Sequence, residues 1–184
     1  MWFLEIIIDF VGNFLMEKII GYFVGNINEI NNPKLITEII NKSFITVANE
    51  FGYTIENSPT FPAFIKYGII ENEIKNGLKI FVYKKKKEWV GCVGYTKDTE
   101  DLYKIKRLAV LPEYRHLGIG KRLLKYNESK IKRNGGKIVE VHIVDNNEKL
   151  KQWYIKYGYK VIDIEEIKGL PFKVCKMQKT IKEK

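Results

Sequence analysis

The chain has 184 residues, of which 45% are hydrophobic, 13% aromatic and 29% charged. This length and composition suit one domain with a hydrophobic core, and they exclude a collagen-like, disulfide-stapled or mostly disordered chain. The formal net charge of +10 favours an anionic partner, such as a phosphorylated cofactor, a nucleic acid or an acidic substrate, unless it reflects a lysine-rich solvated surface alone.

Cysteine and histidine are too few to build a disulfide framework or a metal cluster. Cys92 and Cys175 lie far apart with no C-x-x-C pair, and the chain has two histidines. We therefore predict two buried free thiols, no metal and a cytoplasmic location, where thiols stay reduced.

Residues 1–18 predict an amphipathic helix rather than a membrane span or an export signal. Glu5, Asp9 and Glu17 interrupt the apolar run, so it is too short to cross a bilayer. The segment also lacks the basic start and small-residue cleavage site of a secretory signal. We expect this extension to pack on its own domain, residues 19–184, or on a second subunit, which would make a homodimer.

Helices are predicted in the first part of the main domain, after a short strand near residues 20–27. Asn32-Pro33 marks a helix start, and apolar residues at helical spacing extend the helix over about residues 33–51. Prolines at 59 and 62 end this region. A second, irregular helix is predicted from Phe64 to Ile74.

The hydrophobic period changes at residue 78. Runs rich in β-formers at 78–84, 88–96 and 102–111 predict an antiparallel meander. Four lysines at 84–87 lie where the first hairpin must turn, so we interpret them as a solvated turn rather than a nucleic-acid patch.

Helices and strands alternate beyond Pro112. A helix over about 118–133 precedes a strand over 137–144, and a helix over 147–157 precedes a closing hairpin, 159–164 and 172–179. The resulting prediction is an α/β fold whose mixed, mostly antiparallel sheet has about six to seven strands and is flanked by about four helices.

The segment between the third meander strand and the next helix carries a glycine-rich signal, residues 115–120, here called the glycine loop. Gly118 and Gly120 lie where the helix begins, so backbone N–H groups can approach an anion closely and the helix dipole adds positive charge. Arg115, Lys121 and Arg122 add cations, and Arg115 can bind two phosphate oxygens. The pattern predicts a pyrophosphate site, although a ligand-free helix start could have the same glycines. The three-glycine dinucleotide fingerprint and the P-loop Gly-Lys-Ser/Thr are both absent.

Two motifs resemble those of the GNAT acetyltransferases, which transfer an acetyl group from acetyl-CoA to an amine. The glycine loop matches the family's Arg/Gln-x-x-Gly-x-Gly/Ala pyrophosphate loop, and the preceding strand resembles the family's fourth strand. Asn147, Tyr154 seven residues later, and Tyr157-Gly158-Tyr159 resemble a second family block in the correct order. The resemblance covers about residues 27–180.

The resemblance implies acetyl-CoA as co-substrate, an amine as acceptor and a role for each matching residue. Backbone groups of Leu108 and Val110 would hold the pantetheine arm, with the Val110 N–H polarising the thioester carbonyl. Asn147 would bond the pantetheine or adenine part, and Tyr154 would protonate the departing thiolate. Without the motif, Tyr154 would be interpreted as a packed helix aromatic. The pyrophosphate would be bound by Arg115, His116, Leu117, Gly118, Ile119, Gly120 and Lys121.

The sequence departs from the family pattern at the general base. Many members carry a glutamate on the fourth strand, and the matching position here is Lys104, which does not normally accept a proton. Glu140 and His142 alternate on the next predicted strand and should face one side. His142 is a candidate base because imidazole titrates near neutral pH. A structural role for this histidine, a water relay, and a carboxylate from Glu100 or Asp101 are the alternatives.

Two other functions stay open at this point. Lys104 would suit an acetyl-CoA-binding module that has lost catalysis. The net charge would suit a nucleic-acid-binding protein, but the chain shows neither a recognisable RNA-binding motif nor a helix-turn-helix signature. The acceptor amine cannot be read from the sequence, because fold does not specify substrate.

Overall fold

The computed structural model describes residues 25–181, so the extension predicted over residues 1–18 lies outside the described residues. Among these residues no helix is both long and apolar enough to cross a membrane. A short 3-10 turn at Pro112–Tyr114 precedes the third α-helix. The elements are β1 (Asn26–Glu29), α1 (Pro33–Phe51), α2 (Tyr67–Lys75), β2 (Lys79–Lys85), β3 (Glu88–Lys97), β4 (Leu102–Val110), α3 (Ile119–Arg133), β5 (Ile138–Val144), α4 (Glu148–Lys156), β6 (Lys160–Glu166) and β7 (Lys173–Thr180).

The seven strands form one mixed sheet in the order β1-β2-β3-β4-β5-β7-β6. Every neighbouring pair is antiparallel except β4 and β5, which are parallel. Strand β7 returns between β5 and β6, which leaves β6 at the edge. The predicted fold class is confirmed, with four α-helices flanking the sheet in the described part of the chain.

Two hydrophobic clusters cover the two faces of the sheet. On one face Leu123 of α3 and Tyr154 of α4 share a cluster with Val141 of β5. On the other face Ile40 of α1 shares a cluster with Val82 of β2. Because successive strand residues point to opposite faces, α3 and α4 pack on one face of the sheet, and α1 and α2 pack on the other face at β2 to β4.

The second helix begins at Tyr67, three residues later than the apolar pattern predicts. Phe64 lies in a turn and Ile65 in an irregular segment before it, yet both pack into the core, Ile65 in the cluster that includes α1 and Phe64 in an aromatic cluster. Apolar residues at helical spacing can therefore be buried without lying in a helix. For this reason the predicted start of α2 was wrong.

Strands β4 and β5 pair for only three residues and then diverge. Leu102, Tyr103 and Lys104 oppose residues 138–140, whereas β4 continues to Val110 and β5 to Val144. On its other edge β4 stays paired with β3 as far as Val110. The result is an opening between residues 105–110 of β4 and 141–144 of β5, here called the strand gap.

A β-bulge in β4 lies beside the strand gap. Arg107 has a φ of 57°, and the register between β3 and β4 shifts between Cys92 and Gly94. The Arg107 guanidinium donates two hydrogen bonds, of 2.8 and 2.9 Å, to the carboxylate of Glu73 in α2. A left-handed φ costs a non-glycine residue roughly 1–3 kcal/mol, so surrounding contacts must hold it in place. The ion pair to α2 is such a contact.

We expect Arg107→Ala to lower the free energy of unfolding by about 2–3 kcal/mol, measured by urea denaturation. The two side chains of this pair are 16% and 21% exposed, so removal of Arg107 leaves the Glu73 carboxylate partly desolvated with no cation. Lys97→Ala is the control, because its pair with Glu100 is exposed and should contribute less than about 1 kcal/mol. Equal losses in the two variants would contradict a stabilising role for the Arg107 pair.

Candidate active site

The glycine loop leaves the start of α3 open to a ligand. His116 and Gly118 have φ values of 62° and 78°, and the first helical hydrogen bond runs from the Arg122 N–H to the Gly118 carbonyl at 3.1 Å. The N–H groups of the preceding residues therefore have no acceptor inside the helix. A Cβ built on Gly118 would meet no described heavy atom within 4 Å. Free donors, the helix dipole and open space together suit an anion.

Arg115 borders this helix start, but its guanidinium is directed at other backbone groups. It donates to the carbonyl of Ser43 in α1 and, at 3.4 Å, to that of Val110 in β4. Burial lowers the pKa of Arg115 from its usual value. In this structure Arg115 thus joins α1 to the end of β4, while Lys121 and Arg122 are the exposed cations on the first turn of α3.

The edge of β4 that faces the strand gap presents a second set of backbone groups. The Leu111 N–H donates to the Val90 carbonyl of β3 at 2.9 Å. Because backbone groups of successive strand residues point to opposite edges, those of Val110 and Leu108 point into the strand gap. A Cβ on Gly120 would lie 3.8 Å from Val110 and 3.7 Å from Trp153. The end of β4, the start of α3 and α4 therefore meet at one place.

Tyr154 lies on the α3 and α4 face of the sheet. Its side chain is 4% exposed, and its ring centroid is 5.0 Å from that of Trp153 and 5.2 Å from that of Tyr159. Burial raises the pKa of Tyr154, and the negative charge of Glu128 raises it further. The phenol therefore keeps its proton at neutral pH.

Glu128 of α3 was not singled out by sequence reasoning, because no motif or spacing marks it. It is buried, and its Oε1 accepts hydrogen bonds from the Tyr159 hydroxyl at 3.1 Å and from Lys179 Nζ at 2.8 Å. These contacts connect α3 with Tyr159, the residue before β6, and with β7.

Glu140 and His142 share the opposite face of β5, as their alternation predicts. Glu140 Oε1 is 2.7 Å from His142 Nε2, and Gln178 of β7 donates to Glu140 Oε2 at 2.7 Å. Burial acts to raise the pKa of Glu140, but the hydrogen bonds from Gln178 and His142, with the charge of Lys104, outweigh it and lower the pKa. The carboxylate is therefore ionised at neutral pH. Gln178 was missed because its position depends on the pairing of β5 with β7.

The remaining base candidates lie away from the strand gap or are paired. Lys104 Nζ is 2.8 Å from Asp98 Oδ1. Glu100 and Asp101 precede β4, at the end opposite Val110, and eight strand residues span about 26 Å. Glu100 is also 94% exposed. The structure thus brings His142 and Glu140, but neither of these loop acids, to the part of the sheet that borders the strand gap.

Asn147 caps α4. Its Oδ1 accepts the N–H of Leu150 at 3.0 Å, so the carboxamide oxygen is engaged and the Nδ2 group is the part that can donate to a ligand. Asn147 is therefore both the N-cap of α4 and a candidate ligand contact.

A cavity of about 600 Å³ lies beside the start of α4. It is lined by Asp145 and Asn146, at the end of β5, and by residues 166–173 of the β6–β7 connection. The Tyr53 hydroxyl lies 3.4 Å from Asn146 Oδ1, and the ring centroids of Tyr53 and Phe172 are 4.9 Å apart. The cavity therefore opens at the same end of the sheet as the strand gap.

The two cysteines are buried and unpaired, as predicted. Burial raises the pKa of the Cys92 thiol to about 12, so it is not a thiolate nucleophile at neutral pH. Across residues 25–181 no group of three or more His, Cys, Asp or Glu side chains is placed to hold a metal ion.

Comparison with known proteins links the chain to acetyltransferases. Residues 76–161 match the acetyltransferase (GNAT) domain family. Over 96 residues, 52% of this chain, it is 32% identical to an uncharacterized N-acetyltransferase of Chlorobaculum tepidum, and the match spans 59% of that protein's length.

Solved structures share the fold at low sequence identity. Ard1 from Thermoplasma volcanium is 19% identical with a TM-score of 0.65, over 86% of this chain and 99% of that one. The PaiA N-acetyltransferase from Thermoplasma acidophilum, in complex with coenzyme A, is 18% identical with a TM-score of 0.65, over 85% and 99%. A GNAT family acetyltransferase from Elizabethkingia anophelis with acetyl-CoA bound is 18% identical with a TM-score of 0.56, over 69% and 87%.

Proposed function

We propose that the protein is an N-acetyltransferase that uses acetyl-CoA and a primary amine by direct attack with both substrates bound. The observation that carries this proposal is the position of the open α3 start directly beside the unpaired edge of β4. The α3 start suits a diphosphate, and the adjoining edge of β4 suits the amide groups of an extended pantetheine arm. The acetyl-CoA and coenzyme A bound to two related structures support the same ligand here.

Backbone donors of the chain would hold the co-substrate. The N–H groups at the α3 start would bind its diphosphate, with Lys121 adding charge. Leu108 and Val110 would pair with the arm as a neighbouring strand would, and the Val110 N–H would face the oxygen on which negative charge develops. Asn147 Nδ2 would donate to the arm. The full set that we assign to this site is Leu108, Val110, Arg115, His116, Leu117, Gly118, Ile119, Gly120, Lys121 and Asn147.

Tyr154 and His142 would move the protons. Acetyl-CoA supplies an activated acetyl group as a thioester. His142 would accept the proton that the amine nitrogen loses as the C–N bond forms, and Tyr154 would donate its proton to the leaving sulfur as the C–S bond breaks. Both residues recover their starting state by exchange with solvent. They lie on opposite faces of the sheet, so the strand gap is where the amine side and the thiol side of the reaction can meet.

The cavity at the end of β5 is our proposed acceptor site. Asp145 and Asn146, which line it, directly follow the part of β5 that borders the strand gap, and Phe172 adds an aromatic wall. Positioning both reactants there would supply much of the rate acceleration.

We also propose that residues 19–184 form the acetyltransferase domain and that residues 1–18 are a helical extension, in a cytoplasmic protein. The single sheet formed across residues 26–180 supports one domain. Light scattering of the full chain and of a chain lacking residues 1–18 tests whether the extension joins two subunits.

The proposed function is tested by release of free thiol from acetyl-CoA across classes of amine. We expect acetyl-CoA to bind and at least one primary amine to be acetylated, with the product identified by mass spectrometry. Binding without turnover across the panel would favour a binding module. Failure to bind acetyl-CoA, with nucleic-acid binding that weakens steeply with salt, would favour the nucleic-acid alternative.

A further inference from the structure

Glu140 is a buried carboxylate with both oxygens occupied. Gln178 Nε2 donates to Oε2, and His142 Nε2 lies against Oε1, each at 2.7 Å. The Glu140 side chain is 7% exposed, whereas that of His142 is 42% exposed. A buried charge is retained when its partners compensate for lost hydration, so this carboxylate depends on the two residues that flank it.

The other charged groups around this pair have partners of their own. On β4, Lys104 opposes Glu140, and its Nζ bonds Asp98 at 2.8 Å. On β7, Lys176 opposes His142, and its ammonium group bonds Glu165 and Asp163. Among these groups, the Glu140 carboxylate is the one in direct contact with the imidazole.

The contact determines which imidazole nitrogen carries the proton. An ionised carboxylate can only accept hydrogen bonds, so His142 Nε2 must be the donor. Neutral His142 then has its lone pair on Nδ1. The His142 side chain is 42% exposed, so the ring is partly accessible to solvent.

We propose that Glu140 is a positioning residue that orients His142 as the general base, with Gln178 fixing the carboxylate from behind. The inference rests on the proposed function. Glu140 holds the Nε2–H tautomer, His142 Nδ1 takes the proton from the amine nitrogen, and the resulting imidazolium is stabilised by the carboxylate until the proton passes to solvent. The arrangement also accounts for a lysine at the β4 position, because the base then lies on the neighbouring strand.

The first measurement is the tautomer of His142 by ¹⁵N-resolved NMR, which requires no amine. The chain contains two histidines, so His116→Gln assigns the signals. At a pH where the ring is neutral, we expect the Nε2–H tautomer in the wild type and a mixture of tautomers in Glu140→Gln, since the carboxylate that selects one tautomer is gone.

The second measurement is steady-state turnover with the best amine from the thiol-release panel. We expect Glu140→Gln to lower kcat by on the order of 100-fold with an unchanged KM for acetyl-CoA. Glu165→Gln is the matched control, since Glu165 pairs with Lys176 on the neighbouring strand, and it should change neither the tautomer nor kcat.

The Nδ1–H tautomer in the wild type, or a wild-type tautomer and kcat in Glu140→Gln, would overturn the proposal. If Glu140→Gln fails to fold, Gln178→Met replaces it: a partial shift of the tautomer supports the proposal, and no shift contradicts it. If acetyl-CoA binds but no amine is acetylated, the proposed function fails and the role of Glu140 in catalysis fails with it. If an amine is acetylated and Glu140→Gln has the kcat of the wild type, the role of Glu140 alone is refuted.

Discussion

Gly118→Glu is expected to abolish the binding of acetyl-CoA. The new side chain would enter the open space beside the α3 start and bring a negative charge to the place where we assign the diphosphate. For the wild type, acetyl-CoA at about 100 times its Kd should stabilise the fold by about 2.7 kcal/mol, which raises Tm by about 5–10 °C for a chain of this size. We expect this shift to disappear in the variant and calorimetry to detect no binding.

Gly135→Glu is the matched control for that experiment. Gly135 follows the other end of α3, has a φ of 81° against 78° for Gly118, and also has no described atom within 4 Å of an added Cβ. Both variants lose glycine's tolerance of positive φ, at a cost of roughly 1–2 kcal/mol, so their ligand-free Tm values should fall by similar amounts. A ligand-induced shift that persists in Gly118→Glu would refute the assigned diphosphate site.

Tyr154→Phe is expected to lower kcat by on the order of 100- to 1,000-fold while leaving the Kd for acetyl-CoA within about twofold of the wild type. The substitution removes the proton donor and keeps the ring that packs against Trp153 and Tyr159. Because burial raises the pKa of Tyr154, the phenol keeps its proton at neutral pH. Ionisation of Tyr154 should therefore not lower the rate of the wild-type protein in that range. Steady-state kinetics and calorimetry measure the two quantities.

Tyr157→Phe is the control for Tyr154→Phe. Tyr157 follows the last residue of the same helix, and its ring centroid is 4.8 Å from that of Trp153. The variant therefore removes a nearby hydroxyl to which we assign no role in proton transfer. It should retain near wild-type kcat. Equal rates for Tyr154→Phe and the wild type would show that the thiolate leaves without this acid.

Features that depend on a few neighbouring residues were predicted well from the sequence. Gly118 at a helix start and Asn147 before another helix are local signals. In the structure Gly118 has a positive φ and Asn147 is an N-cap. The alternation that places Glu140 and His142 together is also local, since it follows from the two-residue period of a strand. The start of α2 was misplaced because burial of Phe64 and Ile65 does not require a helix.

The structure was needed wherever residues distant in the chain meet. Arg107 and Glu73 are 34 residues apart, and Gln178 and Glu140 are 38 apart, so neither contact has a sequence pattern. Both depend on strand order and register, which result from the packing of whole elements rather than from local propensity. The insertion of β7 beside β5 brings Gln178 to Glu140, and the three-residue pairing of β4 with β5 opens the strand gap. Backbone propensity acts over one or two turns of chain, whereas these features require hydrophobic faces on several elements to be buried together.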